Sequence, residues 1–190
     1  MDLRLTWDLL IIVFFGIIVA YSFIIGRNGN LKVILATYVG AFFADAVGNI
    51  FGATMIQSEN FMRLLRLFYI STPEQAVVLM KVLTFMTIIV LLSVKGSYSV
   101  DVVSNRSAGV RLFLNMIFGF LNACLIVSIS LIFISGSSFI AGGATISPAF
   151  QDIYNQSNLA KSLINNYSIW FMLPAFAFLS MSLASDKSEN

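Results

Sequence analysis

Asp45 and Lys81 are the residues best placed to do chemistry in this sequence, because each is a lone charge within a long apolar run. An unpaired charge at the centre of a membrane costs at least ~2.5 kcal/mol, so such residues find a partner, water or the bundle interior. Asp45 stands eight residues before Ala53, and Lys81 eight residues after Pro73. If Ala53 and Pro73 mark span ends on one side, both charges sit ~12 Å deep at 1.5 Å per residue. Antiparallel neighbours would bring them level. The spacing predicts an ion pair facing the bundle interior, able either to join two helices or to carry a proton or ion. The alternative is that Lys81 snorkels to the headgroups while Asp45 bonds Asn49 on its own helix.

Little else in the sequence could react. There is no His, and the single Cys, Cys124, lies in an apolar run. That removes His-based acid–base chemistry, a Cys–His dyad, an intramolecular disulfide and the usual zinc sites. There is no phosphate-binding Gly-rich loop with a Lys, no nucleophile elbow and no paired carboxylates. The sequence therefore predicts no enzyme, with no catalytic residue, cofactor or metal. A net charge of +2 with no basic run also argues against nucleic acid as a partner.

The elements that must position Asp45 and Lys81 follow from the apolar pattern. The chain of 190 residues is 58% hydrophobic and only 11% charged, with a mean hydropathy of +0.90. That excess cannot be hidden in one small soluble core, so the lipid bilayer is the expected solvent. The fold class predicted is all-α, an integral membrane bundle of four transmembrane helices plus one amphipathic interfacial helix. The spans read as Leu5–Gly26, Leu31–Gly52, about Pro73–Val94 and Val110–Ile134. The first reads as a retained signal-anchor, since Leu9–Ile25 is longer than a signal core and Asp2, Arg4 and Asp8 precede or open it. Trp7, Tyr21, Tyr38 and Tyr69 lie near span ends, where amphipathic rings favour the interface.

Three surfaces stand out. Ala36, Gly40, Ala44, Gly48 and Gly52 recur every four residues and form a small-residue stripe, suited to close helix packing within the chain or between copies. Asn115, Gly119 and Asn122 share one side of the fourth span and read as an inter-helix polar seam. Between spans two and three, Phe61, Leu64, Leu65 and Phe68 fall opposite Arg63 and Arg66, the pattern of a helix lying at the interface over about 59–70. Thr72-Pro73-Glu74-Gln75 carries the signature of a capping box that starts the third span.

The organisation expected is a four-helix transmembrane domain over 1–135, then a Gly/Ser-rich loop and a C-terminal segment over 136–190. Ser135–Pro148, with Gly142-Gly143, reads as a loop, and Leu159–Ile164 as a short helix. Tyr167–Ala184 is interrupted by Pro174 and is left open between a fifth span, an interfacial helix and a re-entrant hairpin.

Trp7-Asp8, the polar turn Gly26-Arg27-Asn28-Gly29-Asn30-Leu31-Lys32 and the helix Leu112–Leu121 with Asn115 and Gly119 together resemble the colicin V production protein (CvpA-like) family. The segment from Ser157-Asn158-Leu159 to Pro174 is similar to that family's Ser-x-Leu stretch. Ala123 and Met116 depart from its pattern, standing where a second glycine and a basic residue are expected. The resemblance implies a bacterial inner-membrane protein acting as a channel, transporter or export factor linked to toxin production and envelope homeostasis. The alternative function is a non-catalytic structural subunit of a larger membrane complex. A homo-oligomer or a membrane-protein partner is expected in either case.

Overall fold

The computed structural model describes residues 6–54, 58–67, 70–96, 108–140 and 147–186. Among these it is all-α, with seven helices: α1 (Trp7–Thr54), α2 (Glu59–Arg66), α3 (Pro73–Lys95), α4 (Ala108–Ile134), α5 (Pro148–Gln156), α6 (Asn158–Asn165) and α7 (Tyr167–Asp186). Three helices are long and apolar enough to cross a membrane: α1, α3 and residues 112–134 of α4. A fourth candidate arises if α6 and α7, bent by 61° at their junction, are taken as one broken span. This is the make-up of a multi-pass helical membrane protein.

α1 is not one straight rod. Gly26 has φ 71° and ψ −177°, a region that L side chains rarely adopt, and it divides α1 into arms 7–25 and 27–54. The chain folds back there: the Asn30 carboxamide donates to the Ser22 carbonyl at 3.1 Å. Eight residues of continuous helix would separate them by ~12 Å. The expected polar turn over Gly26–Asn30 shrinks to this one glycine, because Arg27 to Asn30 are already helical. Asn30 is fully buried and its side chain is hydrogen-bonded, so a polar residue there does not have to be a loop residue.

α4 is the central element. Every residue from Asn122 to Phe133 is buried, the mark of a helix surrounded by protein. It packs against α1, α3, α6 and α7, while α1 also lies along α3. Phe85 meets Phe133 edge to face, and Phe15 meets Phe120, tying α3 and the first arm of α1 to it. Ile12, Val13, Ile17 and Ile24 on α1, Leu83 and Val90 on α3, and Leu112, Phe113 and Met116 on α4 face outward, available for lipid contact.

Other elements follow local chemistry. Thr72 accepts from the Gln75 amide, and Gln75 accepts from the Thr72 amide in return, so α3 starts in a full capping box. α4 ends in a Schellman turn: Gly136 (φ 84°) donates to Phe133 O, and Ser137 to Ile132 O. α2 packs through Met62 and through Phe61 against Phe51, whereas Leu64 is exposed. Of the apolar face read as Phe61, Leu64, Leu65 and Phe68, Phe61 and Leu65 are half-buried beside Met62. Phe68, Tyr69 and Gly142-Gly143 lie outside the described residues. Arg63 pairs with Glu59 at 3.7 Å, and both side chains are exposed, as is Arg66. Tyr38, expected near a span end, points inward instead and donates its hydroxyl to the Phe171 carbonyl. α5 had no counterpart in the sequence reading.

Substituting Gly26 tests the fold-back. A Cβ there meets open space, so Gly26→Ala costs only backbone strain, about 1–3 kcal/mol. Gly16, helical and equally uncrowded, is the control. Cys124 is buried and is the sole thiol, so a thiol-reactive dye reports unfolding in detergent. Gly26→Ala lowers the unfolding temperature, and Gly16→Ala leaves it unchanged or raises it; equal behaviour would remove the fold-back.

A buried ion pair as candidate functional site

The second arm of α1 and α3 run antiparallel, with Gly40 beside Phe85, Gly48 beside Lys81 and Gly52 beside Val77. The small-residue stripe therefore packs against α3 within the chain, with Ala36 and Ala44 fully buried. At Gly48 a Cβ would overlap the Lys81 side chain, so glycine is what lets the lysine stem lie flat on α1.

That passage leads Lys81 to Asp45. Lys81 Nζ donates to Asp45 Oδ1 at 2.6 Å, and the two side chains are 3% and 0% exposed. Two buried charges in apolar surroundings are stable only if the remaining lone pairs and protons are also satisfied. The segment 135–140 provides those partners. It turns back after α4, and its Ser138 hydroxyl and Ile140 amide each donate to Asp45 Oδ2 at 2.8 Å. Lys81 gives a second bond to the Ser137 carbonyl at 3.3 Å and stands 5.8 Å from the Phe133 ring centre. Asn49 does not bond Asp45; it donates to the Ser138 hydroxyl at 3.3 Å. Ser135 and Ser137, both buried, bond each other at 3.0 Å. Phe139 packs against Phe133 and Phe171, which holds the returning segment on the bundle.

The arrangement is a carboxylate gripped from three directions: α1 carries it, α3 neutralises it, and a loop closes over it. Its chemistry is electrostatic. A proton on Asp45, or a competing ion, would weaken the grip of both Lys81 and the loop. Ser138 and Ile140 were missed at the sequence level. The available signal was the polar run Ser135-Gly136-Ser137-Ser138, placed immediately after the most apolar helix end and beside a helix-stopping glycine.

The polar seam lies farther along α4. Asn115 accepts from the Asn30 carboxamide at 2.8 Å, and Gly119 admits Ser22, whose Cβ would be 2.9 Å from any Cβ at that position. The seam thus bridges both arms of α1 at the fold-back. Asn122 is equally buried, yet neither end of its amide has a hydrogen-bond partner among the described residues. A second contact that the sequence did not disclose joins the chain's first turn to α6: Asp8 accepts from the Ser157 hydroxyl and the Leu159 amide. Ser157 in turn caps α6 by accepting from the Ala160 amide. Among the described residues no cluster of potential metal ligands occurs.

No family model matches this chain, and no curated protein or solved structure matches it.

The ion pair predicts an unequal mutant series. Lys81→Met leaves Asp45 charged and buried without its cation, at a cost of about 3–5 kcal/mol. The exchange Asp45→Lys with Lys81→Asp restores opposite charges but points an ammonium at the Ile140 amide and the Ser138 hydroxyl, so it recovers only part of that loss. Unfolding read at Cys124 ranks wild type, double exchange and single variant in that order. A double exchange as stable as wild type would show that the loop bonds contribute nothing.

The seam predicts a contrast between two asparagines. Asn115→Leu strips the Asn30 amide of a partner and costs about 1 kcal/mol. Asn122→Leu removes a buried amide that makes no hydrogen bond among the described residues, and is neutral or stabilising. Equal destabilisation in the same unfolding assay would contradict the seam.

Proposed function

We propose that this chain is a multi-pass membrane protein of the channel, transporter or export type, in which the Asp45–Lys81 pair latches the segment 135–140 closed over the bundle interior. The observation that carries this reading is that the pair binds a loop as well as joining two helices. A buried pair needs its remaining lone pairs satisfied in any case; what favours a latch is that the donors come from the segment after α4 and not from the two helices themselves. Here both acceptor sites on Oδ2 serve the segment that follows α4, an arrangement that puts that segment under the control of one carboxylate. Ionisable residues at such depth are functional sites by default.

The span count belongs to this proposal. The arm 7–25 is roughly 28 Å long and the arm 27–54 longer, so each can cross a hydrocarbon core of ~30 Å. With α3 and α4 that makes four spans, and the bent pair α6–α7 supplies the candidate fifth. The CvpA-like resemblance supports placement in a bacterial inner membrane and a link to toxin production and envelope homeostasis. Its motif residues coincide with inter-element contacts: Asp8 on α6, and Asn30 with Asn115 and Gly119 at the fold-back. The structural-subunit alternative relied on the small-residue stripe as a docking face, and that stripe is covered by α3. A homo-oligomer or a membrane partner would have to dock through another surface.

Reconstituted vesicles provide the test. Wild-type protein holds an imposed proton or potassium gradient, and Ser138→Ala and Asp45→Asn, each of which loosens the loop, dissipate it several-fold faster. Ser138→Ala keeps the ion pair and so separates gating from misfolding. Identical leak in all three, with one stoichiometric partner retained through mild-detergent purification, would replace the transport reading with the structural one.

A further inference from the structure

A groove of about 740 Å³ lies between α3 and the end of α4, lined among the described residues by Thr72, Glu74, Val78, Leu79, Val82 and Ile134, with Ile70, Gln75 and Ser147 beside them. This volume falls within the range of small-molecule sites. Its polarity is graded. Thr72, Glu74 and Gln75 sit at the start of α3, and from Glu74 to Val82 the wall becomes aliphatic over ~12 Å of helix. α3 is a candidate span that starts at Pro73, so the polar end lies at the membrane interface and the apolar end within the hydrocarbon.

The mouth is negative. Glu74 is exposed and has no ion-pair partner among the described residues. The α3 N-terminus offsets only about half a charge, and its capping bonds are already made by Thr72 and Gln75. Among the described lining residues there is no Lys or Arg to receive a phosphate or carboxylate. That charge pattern disfavours a phospholipid headgroup and fits a simple cation on an apolar tail.

We propose that this groove binds an amphiphilic monocation of the alkylammonium class, its cationic head at Glu74 and its chain along Val78, Leu79, Val82 and Ile134. The site goes beyond the transport reading and stands without it. It nevertheless adjoins the latch: Val82 follows Lys81 on α3, and the Ser147 amide donates to the Ser135 carbonyl at the base of the loop.

The test is equilibrium binding of decyltrimethylammonium to the full chain in phosphatidylcholine nanodiscs, with empty nanodiscs subtracted, beside decanoate and decanol. The cation is expected to bind saturably at one site per chain and about fivefold more tightly than decanol, with decanoate weakest. Glu74→Gln removes the preference for the cation but leaves decanol binding unchanged. Val82→Trp fills the groove and abolishes binding of the cation and decanol alike. Both substitutions lie on the groove surface, and the Cys124 unfolding profile verifies that each variant is folded. Equal affinity for cation and decanol would reduce the groove to an acyl-chain site and overturn the proposal. So would a cation preference that survives Glu74→Gln, or no saturable excess over empty nanodiscs.

Discussion

A carboxylate inside an apolar bundle must collect enough donors to replace the water it has lost, and at Asp45 that requirement organises three separate stretches of the chain. One oxygen takes the Lys81 ammonium; the other takes a hydroxyl and a backbone amide from the loop after α4. In a low-dielectric interior these bonds strengthen one another, and an incomplete set would be costly. The register of α1 against α3, the space left by Gly48 and the Schellman turn that sends 135–140 back are therefore conditions of a single interaction. Each serves to deliver a donor to one carboxylate.

The rest of the bundle is held by weaker and more distributed means. In lipid, apolar side chains gain nothing by burial from water, so small residues and buried amides decide which helices touch. The stripe from Ala36 to Gly52 brings α3 close, and the Asn30–Asn115 bond together with Gly119 locks the α1 fold-back onto α4. Asn122 is also fully buried, and its amide makes no hydrogen bond among the described residues. Asp8 reaching the start of α6 extends the same logic to the C-terminal segments, since a carboxylate at a helix N-terminus meets unsatisfied amides and a favourable partial charge.

The ion pair and the groove both adjoin the segment that follows α4. The ion pair is buried within the bundle, while Ile134 and Ser147, at either end of that region, line the apolar groove. A change at either place would therefore bear on one short piece of backbone.

The sequence by itself determined the class of the protein. Apolar runs of spanning length, the capping box at Thr72, the lone charges Asp45 and Lys81 at matched depth and the small-residue period are local or one-dimensional patterns, and they are legible as such. What only the tertiary structure decided depends on contacts between distant segments. Arg27 to Asn30 looked like a loop because polarity was the only local signal, yet a buried carboxamide with two partners is stable within a helix. Tyr38 looked interfacial until Phe171 supplied an acceptor. Met62, which the sequence pattern did not single out, is the buried residue of α2. The polar run around Ser138 marks the segment in sequence, but the Ile140 amide carries no mark, since a backbone N–H is present at every residue except proline. Which one meets a carboxylate 95 residues away is set by how the chain returns, and that is a property of the fold alone.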